Sequence, residues 1–344
     1  MQTAGEWANE MNDAIKLGHG AGGRLSRELA LRFAEAFDNR LLAPLADAAI
    51  IELADSRIAF STDSHVISPI FFPGGDIGRL AVFGTVNDLS VMGAKPLYLS
   101  CALVLEEGFP LESLQRITNS LAGAAAEAGV KIITGDTKVV ERGKADGIFI
   151  NTTGIGLFSS DACLSAEPMQ PGDEVILTGT VGDHAAAILT AREGLRFDSS
   201  LVSDCAPLSD MLLGLLRIAK NVKWMRDPTR GGVAAALNEL AEGASFGIEL
   251  EESAIPIQPA VQSVCELLGF DPLHLANEGK VVLIVGANET KTALEFLRSH
   301  PLGGSAAVVG RLTEHSAGRV ILRTVIGGLR ILDMPAGELL PRIC

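Results

Sequence analysis

Cysteine and histidine are scarce in this sequence, and their spacing excludes two common kinds of site. The 344 residues include five cysteines with no C-x-x-C pair and six histidines with no H-x-x-x-H pair. A disulfide framework or a structural zinc site needs ligands paired at such spacings. We therefore expect neither in this chain.

Positive charge is also scarce, and long apolar runs are absent. The formal net charge is −14 and no block of Lys or Arg stands out, so we expect no nucleic-acid partner. No stretch reaches the 18 or more apolar residues of a membrane helix, and Glu6, Glu10 and Asp13 make the first residues unlike a signal peptide. We expect a cytoplasmic protein without a membrane partner.

Aromatic residues make up only 5% of the chain, whereas glycine is abundant, at 37 residues. Aliphatic cores and many loops are therefore expected, and 344 residues suffice for two domains of ordinary size. The order of predicted elements indicates an α+β class. We predict a leader over 1–15, a first domain over 16–165, a second domain over 166–325 and a tail over 326–344.

Hydrophobic periodicity and turn residues predict the elements that would carry a site. Helices are expected over 76–92, 183–192 and 231–242. A strand is expected over 130–134, followed by a glycine-rich turn at 135–138. No strand is predicted between 179 and 279.

Two glycine-rich stretches are candidates for a phosphate site, and there is no Walker A motif. The stretch 18–23 matches G-x-G-x-x-G, but no strand precedes it, so the dinucleotide fingerprint fails on context. This stretch is either a loop whose N–H groups close over phosphates or a simple turn. Arg230-Gly231-Gly232 opens a predicted helix and is either a phosphate seat or a plain cap region.

Five aspartates stand at the ends of predicted elements, beside small or hydroxyl residues: Asp47, Asp63, Asp88, Asp136 and Asp227. Asp88 interrupts the apolar face of a predicted helix, where an ionised group is costly unless it is paired or coordinated. Each aspartate alone is typical of a cap or a turn, whereas several together favour Mg²⁺. An acidic protein that binds an anionic nucleotide needs such a cation to bridge like charges.

Three further residues each have two interpretations. Lys138 is either a solvated lysine or a site residue, and Glu278 is either a general base or a surface turn residue. The sequence ends in an apolar stretch, 339–344, whose last residue is Cys344. Its thiol is either inert in a buried tail or a group that is modified and carried into a pocket. The neighbouring α-carboxylate should raise the pKa of this thiol.

Six stretches together resemble the HypE family of hydrogenase maturation proteins, from about residue 16 to the end. These stretches are 19–23, 61–64, 87–89, 135–138, 227–232 and 341–344. The last of them, Pro-Arg-Ile-Cys, is the most specific. The family belongs to the PurM-like superfamily of aminoimidazole ribonucleotide synthetase, selenophosphate synthetase and thiamine-monophosphate kinase.

The resemblance implies a fold and a reaction. Two α/β domains of PurM-like type are implied, with a β-barrel shared between the N-terminal domains of a homodimer, an ATP cleft and a flexible C-terminal tail. HypF would attach a carbamoyl group to Cys344, and the enzyme would dehydrate it to a thiocyanate while ATP is cleaved to ADP and phosphate. The cyano group would pass to iron held by a HypC–HypD complex, for a [NiFe]-hydrogenase.

The resemblance also implies roles for single residues. Lys138 and Glu278 would line the carbamoyl pocket and help to remove N–H protons from the group on Cys344. Mg²⁺ would be held by Asp47, Asp63, Asp88 and Asp227. ATP would contact a larger set: Gly20, Gly22, Gly23, Asp63, Asn87, Asp88, Asp136, Arg230, Gly231 and Gly232.

Two alternatives to this reaction remain open. Another PurM-like enzyme would act on a free small molecule. A selenophosphate synthetase, however, needs a reactive Cys or selenocysteine and a lysine in the glycine loop, which has neither, and an aminoimidazole ribonucleotide synthetase leaves Cys344 without a role. A non-catalytic scaffold would instead bind ATP only to order its tail.

Overall fold

Two β-sheets, each covered by helices, form the framework of the molecule. The computed structural model describes residues 15–37, 41–42, 44–194, 201–335 and 340–344. The predicted leader lies outside these residues apart from Ile15. The first sheet has five strands in the order β1-β2-β7-β5-β6, and the second has seven in the order β14-β13-β10-β12-β8-β11-β9.

The strands divide between the two halves of the chain. Those of the first half are β1 Ala49–Glu52, β2 Arg57–His65, β3 Phe71–Phe72, β4 Gly75–Asp76, β5 Ala94–Glu106, β6 Lys131–Val140 and β7 Ile148–Phe158. Those of the second half are β8 Glu174–Leu177, β9 Val222–Arg226, β10 Gly247–Glu251, β11 Val282–Val285, β12 Ala307–Thr313, β13 Val320–Arg323 and β14 Leu329–Ile331. β3 and β4 pair with each other as a small separate ribbon.

The helices alternate with the strands. They are α1 Arg24–Phe37, α2 Ile77–Val91, α3 Leu111–Glu127, α4 Asp183–Glu193, α5 Ser209–Ile218, α6 Gly232–Ala241, α7 Pro259–Leu268 and α8 Thr290–Ser299. In the described ranges, every helix is too short or too polar to cross a membrane.

Helix α2 lies at the centre of the molecule and is buried along almost its whole length. It begins where the Asp76 side chain accepts hydrogen bonds from the N–H groups of Gly78 and Arg79, at 2.8 and 3.1 Å. Such a cap contributes about 1 kcal/mol. The helix packs on β2, β5 and β7 on one side and contacts α5 and β9 of the second half on the other. It therefore brings its polar residues between the two sheets.

The first sheet keeps one of its faces exposed. Phe60, Ile155 and Tyr98 stand in one row across β2, β7 and β5, and Phe60 and Tyr98 remain 41% and 43% exposed. β1 and β6 are the two edges of the sheet, and in the described chain the sheet is open, not closed into a barrel. The barrel expected from the resemblance concerns two copies of the chain and stays a prediction.

Several elements differ from those predicted. β6 continues through the expected turn at 135–138, because Gly135 lets its backbone approach Cys101 of β5 so closely that a Cβ would lie 2.2 Å from the Cys101 oxygen. β14 lies inside the predicted tail and pairs with β13. The strands β9 and β10 of the second sheet and the short ribbon of β3 and β4 were not predicted at all.

One hydrophobic core joins the two halves of the chain. It contains Phe83 and Ile117 from the first half, Ile188 and Val264 from the second half, and Ile343 from the end of the chain. Burial of apolar side chains is the main favourable term in folding. The last residues therefore pack into the body of the protein, beside the contact between the two halves.

Candidate active site

A cavity of about 280 Å³ lies between the two sheets, next to α2. The first half of the chain supplies Gly22, Asp47, residues 61–63 of β2 and Asp88 of α2. The second half supplies Arg226 at the end of β9, the following residues 227–230, and the first turns of α6. The cavity thus joins four of the stretches that carried the family resemblance.

Three of the predicted aspartates meet in this cavity. Asp47, Asp88 and Asp227 each offer a carboxylate oxygen, and these oxygens lie within 4.8 Å of one another. Asp63 also lines the cavity but does not belong to this group of three. The carboxylates come from a loop, a helix and a strand end far apart in the sequence, so only the tertiary fold brings them together.

The three carboxylates carry the electrostatic signature of a cation site. Burial raises the pKa of Asp88 well above its ordinary value, and the neighbouring carboxylates Asp63, Asp227 and Asp47 raise it further. Burial likewise raises the pKa of Asp227 to about 6 and that of Asp47 to about 8. Buried carboxylates that repel one another at this distance are costly without a counter-charge, and oxygen donors are what Mg²⁺ prefers. The donor set fits a hard divalent cation.

Three side chains missed by the sequence reasoning complete this part of the cavity. Arg226 forms ion pairs with Asp47 at 2.8 Å and with Glu239 at 2.7 Å. The Ser61 hydroxyl lies 2.6 Å from Asp88 Oδ2 and 2.8 Å from the carbonyl oxygen of Asp47, and donates to one of them. The arginine next to Asp227 was a usable signal, because a buried aspartate cluster needs a partly compensating positive charge.

The glycine-rich loop lies directly on the start of α6. Gly22 has a φ of +74°, and a Cβ there would lie 2.4 Å from the Arg230 oxygen, while a Cβ on Gly231 would lie 2.6 Å from the Gly22 oxygen. Arg230 also donates to the carbonyl oxygen of Gly20 at 3.3 Å. Only glycine permits this approach of two backbones. The two stretches predicted to bind phosphate therefore lie together, and Gly22 of one and Gly232 of the other line the cavity.

Two residues expected to contact ATP, Gly23 and Asn87, pack against other parts of the protein and do not face the cavity. A Cβ on Gly23 would lie 2.3 Å from the Pro335 oxygen, so this glycine is required by the chain that follows β14. Asn87 is buried and donates to the carbonyl oxygens of Ala206 and Glu278, at 3.1 and 3.3 Å. Its Oδ1 accepts from the N–H of Leu208 at 2.9 Å. The Asn87 side chain thus ties α2 to the second half and does not line the cavity.

Asp136 and Lys138 lie away from the cavity of their own chain. Both stand on the edge strand β6, are more than 60% exposed, and form an ion pair with each other at 2.7 Å. That pairing and the N–H of Thr137 lower the pKa of Asp136. Within one chain the structure does not bring these two residues to the aspartates.

Glu278 is buried beside the cavity. Its Oε1 has no hydrogen-bond partner among the described residues. Burial raises its pKa well above the ordinary value, nearby carboxylates led by Asp227 add to this, and Arg230 lowers it. Asp204 fixes its main chain by accepting hydrogen bonds from the N–H groups of Glu278 and Gly279, at 3.1 and 3.2 Å. Glu278 is therefore an interior carboxyl group and not a surface turn residue.

Cys344 lies in the same electrostatic environment. Burial raises the pKa of its thiol to about 12, Glu278 and the cavity aspartates Asp63 and Asp227 raise it, and Arg230 lowers it. The expected direction of the shift is confirmed, but its main cause is burial and not the α-carboxylate. At neutral pH the thiol is protonated. The end of the chain therefore places a sulfur atom close to the charged groups of the cavity.

Comparison with known proteins gives the family. The N-terminal domain of AIR synthase related proteins matches residues 45–158, and the C-terminal domain matches residues 170–323. The chain is 49% identical over 338 residues to carbamoyl dehydratase HypE of Cupriavidus necator, an alignment that covers 98% of this chain and 96% of that protein. The chain belongs to the HypE family.

Solved structures of HypE proteins share the fold. The chain superposes with a TM-score of 0.84 on a chain of a HypE–HypF complex, at 48% identity, covering 91% of this chain and all of that one. It superposes with a TM-score of 0.80 on a HypE solved in complex with ATP, at 45% identity, covering 96% of this chain and all of that one. Two domains of AIR synthase type, the PurM-like architecture expected from the resemblance, are confirmed.

Proposed function

We propose that this chain is an ATP-dependent carbamoyl dehydratase whose substrate is attached to its own Cys344. The observation that carries the proposal is the position of the thiol, which is under the influence of the charged groups that surround the aspartate cavity. The name of the HypE relatives and the relative solved with ATP support the same activity. An enzyme acting on a free metabolite would have no use for a thiol at this place.

The reaction removes the elements of water from an S-carbamoyl group. The carbamoyl oxygen attacks the γ-phosphorus of ATP, and ADP leaves. The carbon–oxygen bond then breaks, phosphate departs with the carbamoyl oxygen, both N–H protons are released, and a C≡N bond remains on sulfur. The protein needs no nucleophile besides the substrate's own oxygen, so its residues must position the groups, balance charge and accept protons.

The cavity residues fit these tasks. Asp47, Asp88 and Asp227, with Asp63 beside them, would hold Mg²⁺, which would neutralise charge on the phosphates as they transfer. Arg230 would lie on the nucleotide together with the glycine-rich loop and the start of α6: Gly20, Gly22, Gly231 and Gly232. Among the carboxyl groups, Glu278 raises the pKa of the Cys344 thiol most, and a carboxylate with a raised pKa is a stronger base for the N–H protons.

Asp136 and Lys138 would act across a homodimer. They stand on the exposed edge strand β6 of the same sheet, and the row of Phe60, Ile155 and Tyr98 meets this strand at Lys131, near its start. Pairing of this edge and apolar face with a second copy would bury both features and supply a reason for their exposure. In that arrangement Lys138 and Asp136 of one copy would reach the cavity of the other copy.

The partners follow from the chemistry of the tail. A HypF carbamoyltransferase would supply the carbamoyl group, in line with the relative solved as a HypE–HypF complex. A HypC–HypD complex would accept the cyano group on iron. The reactions would take place in the cytoplasm, where thiols stay reduced.

Mass analysis of the C-terminal peptide tests the proposal. The protein is incubated with HypF, carbamoyl phosphate and MgATP, and the peptide that ends in Cys344 is weighed. We expect a cyano adduct on sulfur, and none in Cys344→Ser. A tail that accumulates the carbamoyl group but never loses water would contradict the dehydratase, and an unmodified tail with active HypF would favour a scaffold.

A further inference from the structure

The last residues of the chain lie beside a segment of the first half, like a short added strand. The N–H of Val66 donates to the Cys344 oxygen at 3.2 Å, and the N–H of Ser68 donates to the Arg342 oxygen at 3.1 Å. The two contacts run in opposite chain directions, as in an antiparallel pair. This contact fixes one side of residues 342–344.

Helix α4 of the second half holds the other side. His184 Nε2 lies 2.7 Å from the Ile343 oxygen, and because a carbonyl only accepts, this nitrogen carries the proton. His184 Nδ1 then accepts from the Ser203 hydroxyl at 2.7 Å, which fixes the ring. Two turns further along α4, the Arg192 guanidinium donates to the Arg342 oxygen and, at 2.5 Å, to the Ser68 oxygen.

We propose that His184 and Arg192 are positioning residues that seat the carbamoylated tail at the cavity. The inference rests on the proposed function. Their hydrogen bonds to the tail are made with main-chain oxygens of Ile343 and Arg342. They therefore fix where the backbone of the tail lies, whatever side chains the tail carries. The buried Ile343 side chain adds an apolar anchor between them. Residue 344 is thereby held within the electrostatic influence of Arg230 and Glu278.

The seat also joins the two halves of the protein. Arg192 bridges Ser68 of the first half and Arg342 of the tail. Departure of the tail therefore leaves the buried His184 imidazole without its Ile343 acceptor, and the half-buried guanidinium keeps Ser68 but loses Arg342. Unpaired buried donors are costly. The resting protein therefore keeps its tail seated, and a transferase must offer compensating contacts to draw it out.

Thiol protection tests the seat without any catalysis. We measure the alkylation rate of Cys344 by iodoacetamide, from the mass of its C-terminal peptide, in Arg192→Met, Arg192→Lys and the wild type. Loss of a charge-assisted hydrogen bond should raise the rate at least about tenfold in Arg192→Met, and less in Arg192→Lys. Arg217→Met is the matched control, because Arg217 of α5 pairs with the exposed Asp161 and its replacement should leave the rate unchanged.

A second pair of variants and a second readout separate seating from folding. His184→Gln keeps a donor nitrogen and should protect the thiol better than His184→Leu, with thermal unfolding followed in parallel. In a single turnover of carbamoylated protein, Arg192→Met should dehydrate at least about tenfold more slowly at unchanged ATP affinity. Wild-type alkylation in both Arg192→Met and His184→Leu would overturn the inference even if the dehydratase is real. Faster alkylation in protein that never dehydrates would leave the seat intact and count against the proposed function.

Discussion

Removing one charge from the aspartate group should stabilise the protein without Mg²⁺ and weaken its binding of Mg²⁺. The substitution is Asp88→Asn, which keeps the size of the side chain and lets Ser61 still donate to an oxygen. Asp88 is chosen because it forms no ion pair with an arginine among the described residues, whereas Asp47 is paired with Arg226.

The magnitude follows from the geometry. Two like charges 4.8 Å apart repel by about 3 kcal/mol at an effective dielectric constant of 20. Asp88 faces two such charges, but uptake of a proton and the nearby Arg226 reduce the cost. We expect Asp88→Asn to raise the free energy of unfolding by about 3 kcal/mol at pH 8 without metal. The affinity for Mg²⁺ should fall at least about tenfold, since 1.4 kcal/mol of lost attraction is already that factor.

Urea unfolding at pH 8 measures the first effect, with EDTA in one series and MgATP in the other. In EDTA the variant should unfold at higher urea than the wild type, and in MgATP the order should reverse. Asp210→Asn is the control, because the Asp210 side chain on α5 is 96% exposed and should change neither series much. A variant that is less stable than the wild type in EDTA would refute the reasoning, since it would show that the three carboxylates do not repel.

Three further predictions follow. Without metal, the free energy of unfolding should decline with rising pH, because Asp227 and Asp47 bind protons more tightly in the folded protein than in the unfolded chain. Their contribution to stability is complete below pH 3.8. It is lost as pH rises through about 6 for Asp227 and about 8 for Asp47. Melting temperatures in EDTA test this, and a flat profile from pH 4 to 8 would contradict it. Glu278→Gln should slow dehydration by about 10²-fold or more while HypF still carbamoylates the tail, and an unchanged single-turnover rate would exclude Glu278 as the base. Three residues appended after Cys344 should abolish dehydration at unchanged melting temperature, because the thiol lies under the influence of the charged groups of the cavity and has to reach the nucleotide. Normal cyano formation would contradict this.

The aspartates could be predicted because each stands beside a recognisable break in a hydrophobic pattern. Asp88 was visible as a charge on the apolar face of α2, and burial of that face required a partner for it. The sequence could not show which carboxylates come within 4.8 Å, since Asp47, Asp88 and Asp227 meet only when the two halves pack. The same limit applies to Asn87, whose side chain bonds to three backbone groups of the second half.

The missed strands have a local explanation. β9 contains Lys223, which interrupts the apolar pattern, yet its side chain is 1% exposed and forms an ion pair with Asp173 at 2.9 Å. β10 contains Glu249 and Glu251, which are paired with Arg323 of the neighbouring strand β13. In both strands a charged residue interrupts the apolar pattern and indicates a loop, unless its partner elsewhere in the chain is known. Propensity describes single segments and does not report such partners.

Isotope transfer tests the central claim most directly. The carbamoyl group on Cys344 is prepared with ¹⁸O in its oxygen, MgATP is added, and the phosphate released in one turnover is analysed by mass. The account predicts one ¹⁸O atom in each phosphate, because the carbamoyl oxygen becomes part of the leaving group. Unlabelled phosphate formed together with a cyano adduct would contradict it, since ATP would then have been hydrolysed by water and not spent on that oxygen.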